Sequence, residues 1–269
     1  GEATLSGTIT FTSANWDTPQ TITVTGVDEN IIDGNQSSTV TVTIVDSISD
    51  NDFSGVADQT VSATTTDDDV AGFTIVESDG STSVNESGTS DTFTVVLDAE
   101  PTSDVALTIS SDDTGEATVN STLTFTSANW DTPQTITVTG VDDDLIDGDI
   151  VSTVTVVVDD ANSNDDFDAV ADQTVSVTTT DDDVAGFTIV ESDGSTEVAE
   201  SGTTDTFTIV LDAQPTSDVV LTVTSSDTGE ATVTSSLTFT PANWDTPQTV
   251  TVTGVDDDII DGSVTSTIT

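Results

Sequence analysis

Two ten-residue stretches of this chain are identical, and each contains three consecutive aspartates. They run over residues 64–73 and 178–187, with the aspartates at 67–69 and 181–183. Carboxylates about 5 Å apart repel each other by roughly 3 kcal/mol per pair at an effective dielectric near 20. Because a threonine-rich strand precedes each run and an apolar strand follows within a few residues, the runs are predicted to be cation-binding joints between folded units.

Other acidic segments follow predicted strands between the two joints. In a sandwich whose strands run alternately up and down, every second loop lies at the same end. These segments and the closing aspartates are therefore expected to meet at one pole. The predicted cation ligands there are Glu86, Asp112, Asp113, Glu116, Asp142, Asp143, Asp144, Asp147, Asp181, Asp182 and Asp183. The alternative is that they are only solvated loop residues of an acidic protein.

Equivalent acidic positions occur on both sides of this segment. The earlier set is Asp28, Glu29, Asp33, Asp67, Asp68 and Asp69, and the later set is Glu200, Asp256, Asp257, Asp258 and Asp261. Asn30 removes one charge from the earlier set, which predicts a weaker site. Ca²⁺ takes about six to eight oxygen ligands and is the expected ion, with Mg²⁺ as second choice. Zinc is not expected, because the chain has no Cys or His.

Charge limits the possible partners. The chain has 51 acidic residues and no Lys, Arg or His. Nucleic acid binding is not expected, because phosphate contacts need basic side chains, and attraction to an anionic membrane is disfavoured. No apolar run is long enough to cross a bilayer, so membrane insertion of this segment is not expected.

An internal repeat dominates the chain. Trp16, Trp130 and Trp244 are each separated by 114 residues (130 − 16 and 244 − 130). We expect residues 1–69 to be the C-terminal part of a first repeat, 70–183 a complete middle repeat and 184–269 the N-terminal part of a third. The expected partners are further copies of the same repeat, either in the same chain of a longer array or in neighbouring subunits that complete the ends.

The middle repeat has the pattern of an all-β domain. Hydrophobic residues make up 33% of the chain, and they alternate with threonine, which argues against the disorder that such charge otherwise favours. Seven strands are predicted, at 73–77 (resumed near Val84), 92–97, 105–109, 123–125, 135–141, 153–158 and 174–180. This pattern predicts tandem immunoglobulin-like antiparallel β-sandwiches.

Two features lie outside the acidic pole. Each repeat has one tryptophan just before a strand, which favours a plug in the core over a ligand-binding aromatic. A second acidic loop, residues 159–168, is expected at the opposite pole, where it would face the acidic pole of the preceding repeat across a joint.

The combined motifs resemble a known family. They are Val84-Asn-Glu-Ser-Gly88, Leu-Thr-Phe-Thr at 123–126 followed by Asn129-Trp130, Thr-Val-Thr-Gly-Val-Asp-Asp-Asp at 137–144, and the closing Thr-Asp-Asp-Asp at 180–183. The chain resembles Calx-beta-type repeats, as found in sodium–calcium exchangers and in very large bacterial surface proteins, over its whole length. The resemblance implies a calcium-binding sandwich with ligands from the early glutamate, the loop between the fifth and sixth strands, and the closing aspartates.

Two non-enzymatic functions remain open. An enzyme is not expected, because no His, Cys, Lys or Arg is present for base or nucleophile roles. The first hypothesis is a calcium-stiffened structural repeat of an extracellular or cell-surface filament, fibre or adhesin stalk, of bacterial or archaeal origin. The alternative is a calcium-dependent adhesion module that recognises a carbohydrate or a partner cell. Near-identical repeats favour the first hypothesis, because a recognition domain would diverge from its spacers.

Overall fold

A computed structural model describes residues 1–260 and 262–269, and its regular structure is almost entirely β-strand. The strands are β1 Ala3–Leu5, β2 Val24–Gly26, β3 Gln36–Val42, β4 Gln59–Thr65, β5 Phe73–Glu77, β6 Thr82–Asn85, β7 Ser90–Leu97, β8 Val105–Ser111, β9 Ala117–Val119, β10 Thr122–Phe125, β11 Gln134–Gly140, β12 Ile150–Val158, β13 Gln173–Thr180, β14 Phe187–Glu191, β15 Thr204–Leu211, β16 Val219–Thr222, β17 Ala231–Val233, β18 Ser236–Phe239 and β19 Gln248–Gly254. Short 3-10 helices span Asn51–Phe53, Asp160–Asn162 and Asp165–Phe167. The predicted all-β, immunoglobulin-like class is confirmed.

The middle repeat forms a sandwich of two sheets. One sheet has the strand order β10-β8-β12-β13-β6, and the other has the order β5-β7-β11-β9. All neighbouring strands are antiparallel except β13 and β6, which pair in parallel from Val177↔Thr82 to Thr180↔Asn85. This parallel ladder departs from the fully antiparallel prediction, and it brings the ends of β6 and β13 to the same pole.

Alternation of side chains creates the core between the sheets. On β11, Ile136 and Val138 are fully buried, while Thr135 is exposed on the outer face. Threonine and valine both suit such half-buried strands because they are branched at Cβ. The largest completely buried apolar side chains of this core include Phe93, Phe125, Phe167 and Leu107.

The middle repeat has nine strands rather than the seven predicted. The first predicted strand is two strands, β5 and β6, which lie in different sheets because the turn after Glu77 moves the chain across the sandwich. Asp91 fixes this turn by accepting hydrogen bonds from the Ser83 N–H at 2.9 Å and the Ser78 hydroxyl at 3.0 Å. The other unpredicted strand is β9, whose three residues are too few for alternation to be visible.

The flanking repeats have the same elements in part. In the third repeat, a sheet of order β14-β15-β19-β17 matches β5-β7-β11-β9 of the middle repeat. Trp130 and Trp244 pack against the cores of their sandwiches, as the core interpretation predicts. Trp16 is 72% exposed, so the core interpretation is wrong for the first repeat.

Each repeat contacts the next through a short backbone bridge. The Glu100 N–H donates to the Asn30 carbonyl at 2.6 Å, and Ile31 pairs in parallel with Glu100. At the second joint, the Gln214 N–H donates to the Asp144 carbonyl at 2.7 Å, and Leu145 pairs with Gln214. The same contact therefore occurs twice, 114 residues apart (214 − 100).

No helix in the described part of the chain is both long and apolar enough to span a membrane.

Candidate metal centre

Glu86 is the most deeply buried acid of the middle repeat. It follows β6 directly, and its backbone N–H donates to the Thr180 carbonyl at 3.2 Å. The residue is 1% exposed, and its Oε2 has no hydrogen-bond partner. The Asp182 N–H donates to the other side of the carboxylate. A buried carboxylate oxygen without a partner is costly, which indicates a position prepared for a cation.

Gly140 allows the chain to pass beside Glu86. A Cβ at Gly140 would lie 2.2 Å from the backbone oxygen of Asn85, the residue before Glu86. The Gly140 N–H donates to the Thr89 carbonyl at 3.0 Å. The end of β11 therefore packs directly under the Glu86 backbone, and only glycine fits there.

Glu116 is the second buried acid, and it lies immediately before β9. It is 7% exposed, and its Oε2 also has no hydrogen-bond partner. Its carbonyl accepts hydrogen bonds from the Val141 N–H at 2.9 Å and from the Thr179 hydroxyl at 3.3 Å. These contacts hold Glu116 between β11 and β13, the two strands that lead into the aspartate-rich segments.

Asp181 organises the aspartate segments. Its Oδ2 accepts a hydrogen bond from the Gly148 N–H at 2.8 Å, and its Oδ1 accepts from the Asp183 N–H at 2.8 Å. The first contact ties the loop after β11 to the end of β13. Within that loop, the Asp143 Oδ1 accepts from the Leu145 N–H at 2.7 Å.

Six acids converge into two groups at this pole. Glu86, Asp181 and Asp183 each offer an oxygen within 4.8 Å of the others, as do Glu116, Asp143 and Asp147. Four segments far apart in sequence supply them, and all six are among the eleven ligands predicted for this pole. Carboxylate oxygens in this number suit Ca²⁺, and the buried unpaired oxygens of both glutamates fit such an ion.

Both buried glutamates of this pole have a raised pKa, so a nearby positive charge would be favourable. Burial, followed by the charges of Asp181 and Asp143, raises the pKa of Glu86 to about 7. Burial, followed by Asp147 and other aspartates, also raises the pKa of Glu116. Because Asp143 and Asp181 act on both glutamates, the two groups form one continuous cluster.

Without cations, the folded middle repeat is expected to lose stability as the pH rises. The folded state keeps the Glu86 proton up to a pKa of about 7, whereas the unfolded chain loses it near the ordinary pKa of 4.5. The free energy of unfolding therefore falls as the pH rises through this window. Urea unfolding in chelator at about pH 5, 6, 7 and 8 measures this. Glu86→Gln, which stays neutral, should flatten the profile, and a stability that increases with pH would contradict the assignment.

Five other predicted ligands of the middle repeat lie outside both groups. The Asp112 Oδ1 accepts a hydrogen bond from the Thr153 N–H at 2.7 Å, and the Asp113 Oδ1 accepts from the Gly115 N–H at 3.0 Å. Asp144 uses its carbonyl in the second joint, and its charge raises the pKa of Asp183 after the effect of burial. The remaining two, Asp142 and Asp182, also lie outside the groups.

The first repeat has one group, and one of its members was not predicted. Glu2, Glu29 and Asp33 place oxygens within 4.8 Å of one another. Burial, and then the charge of Glu2, raises the pKa of Glu29. Glu2 lies 114 residues before Glu116. The repeat therefore identifies Glu2 as the equivalent of a predicted ligand. A cavity of about 20 Å³ beside this group is lined by the other predicted ligands, Asp28, Asp67, Asp68 and Asp69.

Asp67 accepts hydrogen bonds from backbone N–H groups and is not a member of the Glu2, Glu29 and Asp33 group. Its pKa is lowered by hydrogen bonds from the backbone of Asp69 and Gly34. The Gly34 N–H lies 2.6 Å from its Oδ2. Asp69 has a raised pKa, first because of burial and then because of Asp67 and Asp68. The same turn recurs at Asp181 in the middle repeat.

The third repeat shows less of its predicted site. Asp261 lies outside the described residues. Glu200 is half-buried, and the Asp257 Oδ1 accepts a hydrogen bond from the Ile259 N–H at 2.8 Å. Among the described residues, Glu200, Asp256, Asp257 and Asp258 join no three-acid group.

Comparisons with known proteins add the following findings. No family model matches the chain, and no curated protein matches it. Among solved structures, it is similar to the apo form of the Calx CBD1 domain, with 15% identity over 41% of this chain and 98% of that one and a TM-score of 0.31. It is also similar to CBD12 from CALX1.2, with 14% identity over 68% and 76% and a TM-score of 0.32.

A third similar structure comprises domains 4 and 5 of the S-layer protein SbsC. The identity is 20%, over 59% of this chain and 62% of that one, with a TM-score of 0.31. The strand order and registers of the chain itself define its fold as immunoglobulin-like β-sandwiches.

Proposed function

We propose that this chain is a structural segment of an extracellular microbial filament, fibre or adhesin stalk, stiffened by Ca²⁺ at its acidic loops and joints. The structural units are residues 1–69, 70–183 and 184–269. Mg²⁺ is the second choice of ion. Further copies of the same repeat, in the same chain or in neighbouring subunits, are the proposed partners.

The observation that carries this proposal is that one loop, residues 143–147, belongs both to a cation group and to the contact with the next repeat. Leu145 lies between Asp143 and Asp147, two members of a cation group, and it also forms the bridge to Gln214 of the next repeat. An ion that fixes the two aspartates therefore also fixes the residue that contacts the next sandwich.

The first joint has the same arrangement. Ile31 lies between Glu29 and Asp33, which belong to the first-repeat group, and it pairs with Glu100 of the middle repeat. Two joints with one geometry are typical of a regular spacer. The cation loops thus connect neighbouring sandwiches, as a stiffening function requires.

The middle-repeat cluster is best suited to two cations. Its six carboxylates form two groups with separate buried glutamates. Carbonyl and water oxygens would complete the shell of about six to eight ligands that each Ca²⁺ takes. Bound ions would also offset the burial and, after it, the charges of Asp181 and Asp143, which together raise the pKa of Glu86 to about 7.

Calorimetric titration with Ca²⁺ tests the proposal. Glu86→Gln and Glu116→Gln should each weaken binding to the middle repeat by about tenfold or more, which corresponds to about 1.4 kcal/mol. Asp131→Asn, an equal change of charge at an exposed turn, should leave the affinity unchanged. Absence of Ca²⁺ binding, or equal affinities in all variants, would contradict the proposal.

A further inference from the structure

Ser152 is a buried polar residue that belongs to neither cation group of the middle repeat. It lies on β12, it is 2% exposed, and its Oγ has no hydrogen-bond partner among the described residues. Val154, two residues further on, is fully buried, so the alternation of the strand directs the Ser152 side chain into the sandwich. A buried hydroxyl without a partner is costly. A state of the protein in which this hydroxyl finds an acceptor is therefore favoured.

The turn that carries Glu116 lies beside Ser152. β8 runs antiparallel to β12, and just past the end of β8 the Asp112 N–H donates to the Thr153 carbonyl at 3.0 Å. Asp113 therefore lies level with Ser152. The Asp113 carbonyl accepts a hydrogen bond at 3.1 Å from the backbone N–H of the residue after Glu116. This bond closes the turn and keeps Glu116 next to β12.

A second contact ties Glu116 to the strand on the other side of Ser152. Ser152 pairs with Val177 of β13, and Thr179, two residues further along β13, is buried on the same inner face. The Thr179 hydroxyl donates to the Glu116 carbonyl at 3.3 Å. Glu116 is therefore connected to both strands that flank β12, at the level of Ser152.

The two groups without partners in this corner are chemically complementary. The Glu116 Oε2, like the Ser152 Oγ, has no hydrogen-bond partner in the described part of the chain. An ionised carboxylate only accepts hydrogen bonds, whereas a hydroxyl can donate one. The other buried carboxylate of this pole, Glu86, follows β6, and β13 lies between β6 and β12. Ser152 is therefore separated from Glu86 by a whole strand, and Glu116 is its acceptor.

We propose that Ser152 is a positioning residue, which donates a hydrogen bond to the Glu116 carboxylate when Ca²⁺ is bound. One carboxylate oxygen would then contact the ion, and the other would accept from the serine hydroxyl. Carboxylates that bind metals are themselves held by such outer hydrogen bonds, and loss of the outer partner weakens metal binding by about 10- to 100-fold. The inference rests on the Ca²⁺ function proposed above and adds to it a residue without charge.

Ser152→Ala in the full chain tests this inference under two conditions. In chelator, urea unfolding should show a variant at least as stable as the unaltered chain, because the removed hydroxyl has no partner there. In Ca²⁺ buffers, NMR titration followed at the Leu145 methyl signals should show binding that is about tenfold weaker. Ser266→Ala, the same change at the equivalent position of the third repeat, should leave this affinity unchanged.

A double-mutant cycle shows whether Ser152 acts through Glu116. In the Glu116→Gln background, the amide has a single oxygen, which the ion takes. Ser152→Ala should then weaken binding by less than about twofold, because its partner is already lost. In the Glu86→Gln background, the serine keeps its partner, and the same substitution should still weaken binding about tenfold.

Equal Ca²⁺ affinities of the Ser152→Ala variant and the unaltered chain would overturn the inference alone. So would the same loss of stability in chelator and in Ca²⁺, which would show that the serine serves packing only. Equal weakening in the Glu116→Gln and Glu86→Gln backgrounds would also overturn it, because the serine would then act independently of Glu116. Absence of Ca²⁺ binding by the unaltered chain would instead contradict the proposed function, and the inference with it.

Discussion

Saturating Ca²⁺ is expected to raise the melting temperature of the middle repeat by more than about 10 °C relative to chelator. Each ion that binds only the folded state adds about 2.7 kcal/mol at a hundredfold excess over its Kd, and the six-acid cluster suits two ions. One kcal/mol shifts the melting temperature of a small domain by about 4–8 °C. Thermal unfolding followed by circular dichroism measures the effect.

Removal of the closing aspartates should reproduce part of the effect of chelation. The variant carries Asp181→Asn, Asp182→Asn and Asp183→Asn. Because the group of Glu116, Asp143 and Asp147 stays intact, Ca²⁺ should raise its melting temperature by about half as much as in the unaltered chain. Its matched control carries Asp165→Asn, Asp166→Asn and Asp168→Asn, which remove the same charge from the opposite-pole loop. The control should keep the Ca²⁺ response. A wild-type melting curve that chelator leaves unchanged would disprove the role of the ion.

Gly140→Ala is expected to be the most damaging single substitution near the centre. The added Cβ would lie 2.2 Å from the Asn85 backbone oxygen, so the backbone before Glu86 must move. We expect a loss of more than about 2 kcal/mol, in the range of backbone-strain substitutions, together with at least tenfold weaker Ca²⁺ binding.

Gly26→Ala provides the matched control for this prediction. Gly26 occupies the same position in the first repeat, where a Cβ would meet only the Thr65 Cγ2, at 3.3 Å. It should cost clearly less in urea unfolding. Equal costs for the two variants would mean that the close approach of Gly140 to Asn85 does not position Glu86.

Much of the fold is visible in the sequence because the strands alternate strictly. Alternation in β11 fixes which residues face the core, and the 114-residue repeat transfers that pattern along the chain. The separation of β5 from β6 could not be predicted in this way. Both segments alternate, and only the Asp91 contacts at the turn between them reveal that the chain changes sheets.

For the candidate metal centre, the sequence predicts which acids lie together but not the contacts that each one makes. The counting of loops indicates which acids share a pole, and six of those predicted lie in the two groups of the middle repeat. It cannot indicate what each carboxylate does there. Asp112 holds the Thr153 N–H, which depends on the exact approach of β8 to β12. Glu2 is not among the predicted ligands, although its equivalent, Glu116, is.

Small-angle X-ray scattering on this chain tests most directly whether Ca²⁺ stiffens the joints. Without Ca²⁺, repulsion among the carboxylates should loosen the bridges at Ile31 and Leu145, so that neighbouring sandwiches swivel. With Ca²⁺, the interdomain distance distribution should narrow to that of a defined rod. An equally narrow distribution in chelator would contradict the account, and apolar contacts such as that of Ile32 with the middle core would then hold the joint instead.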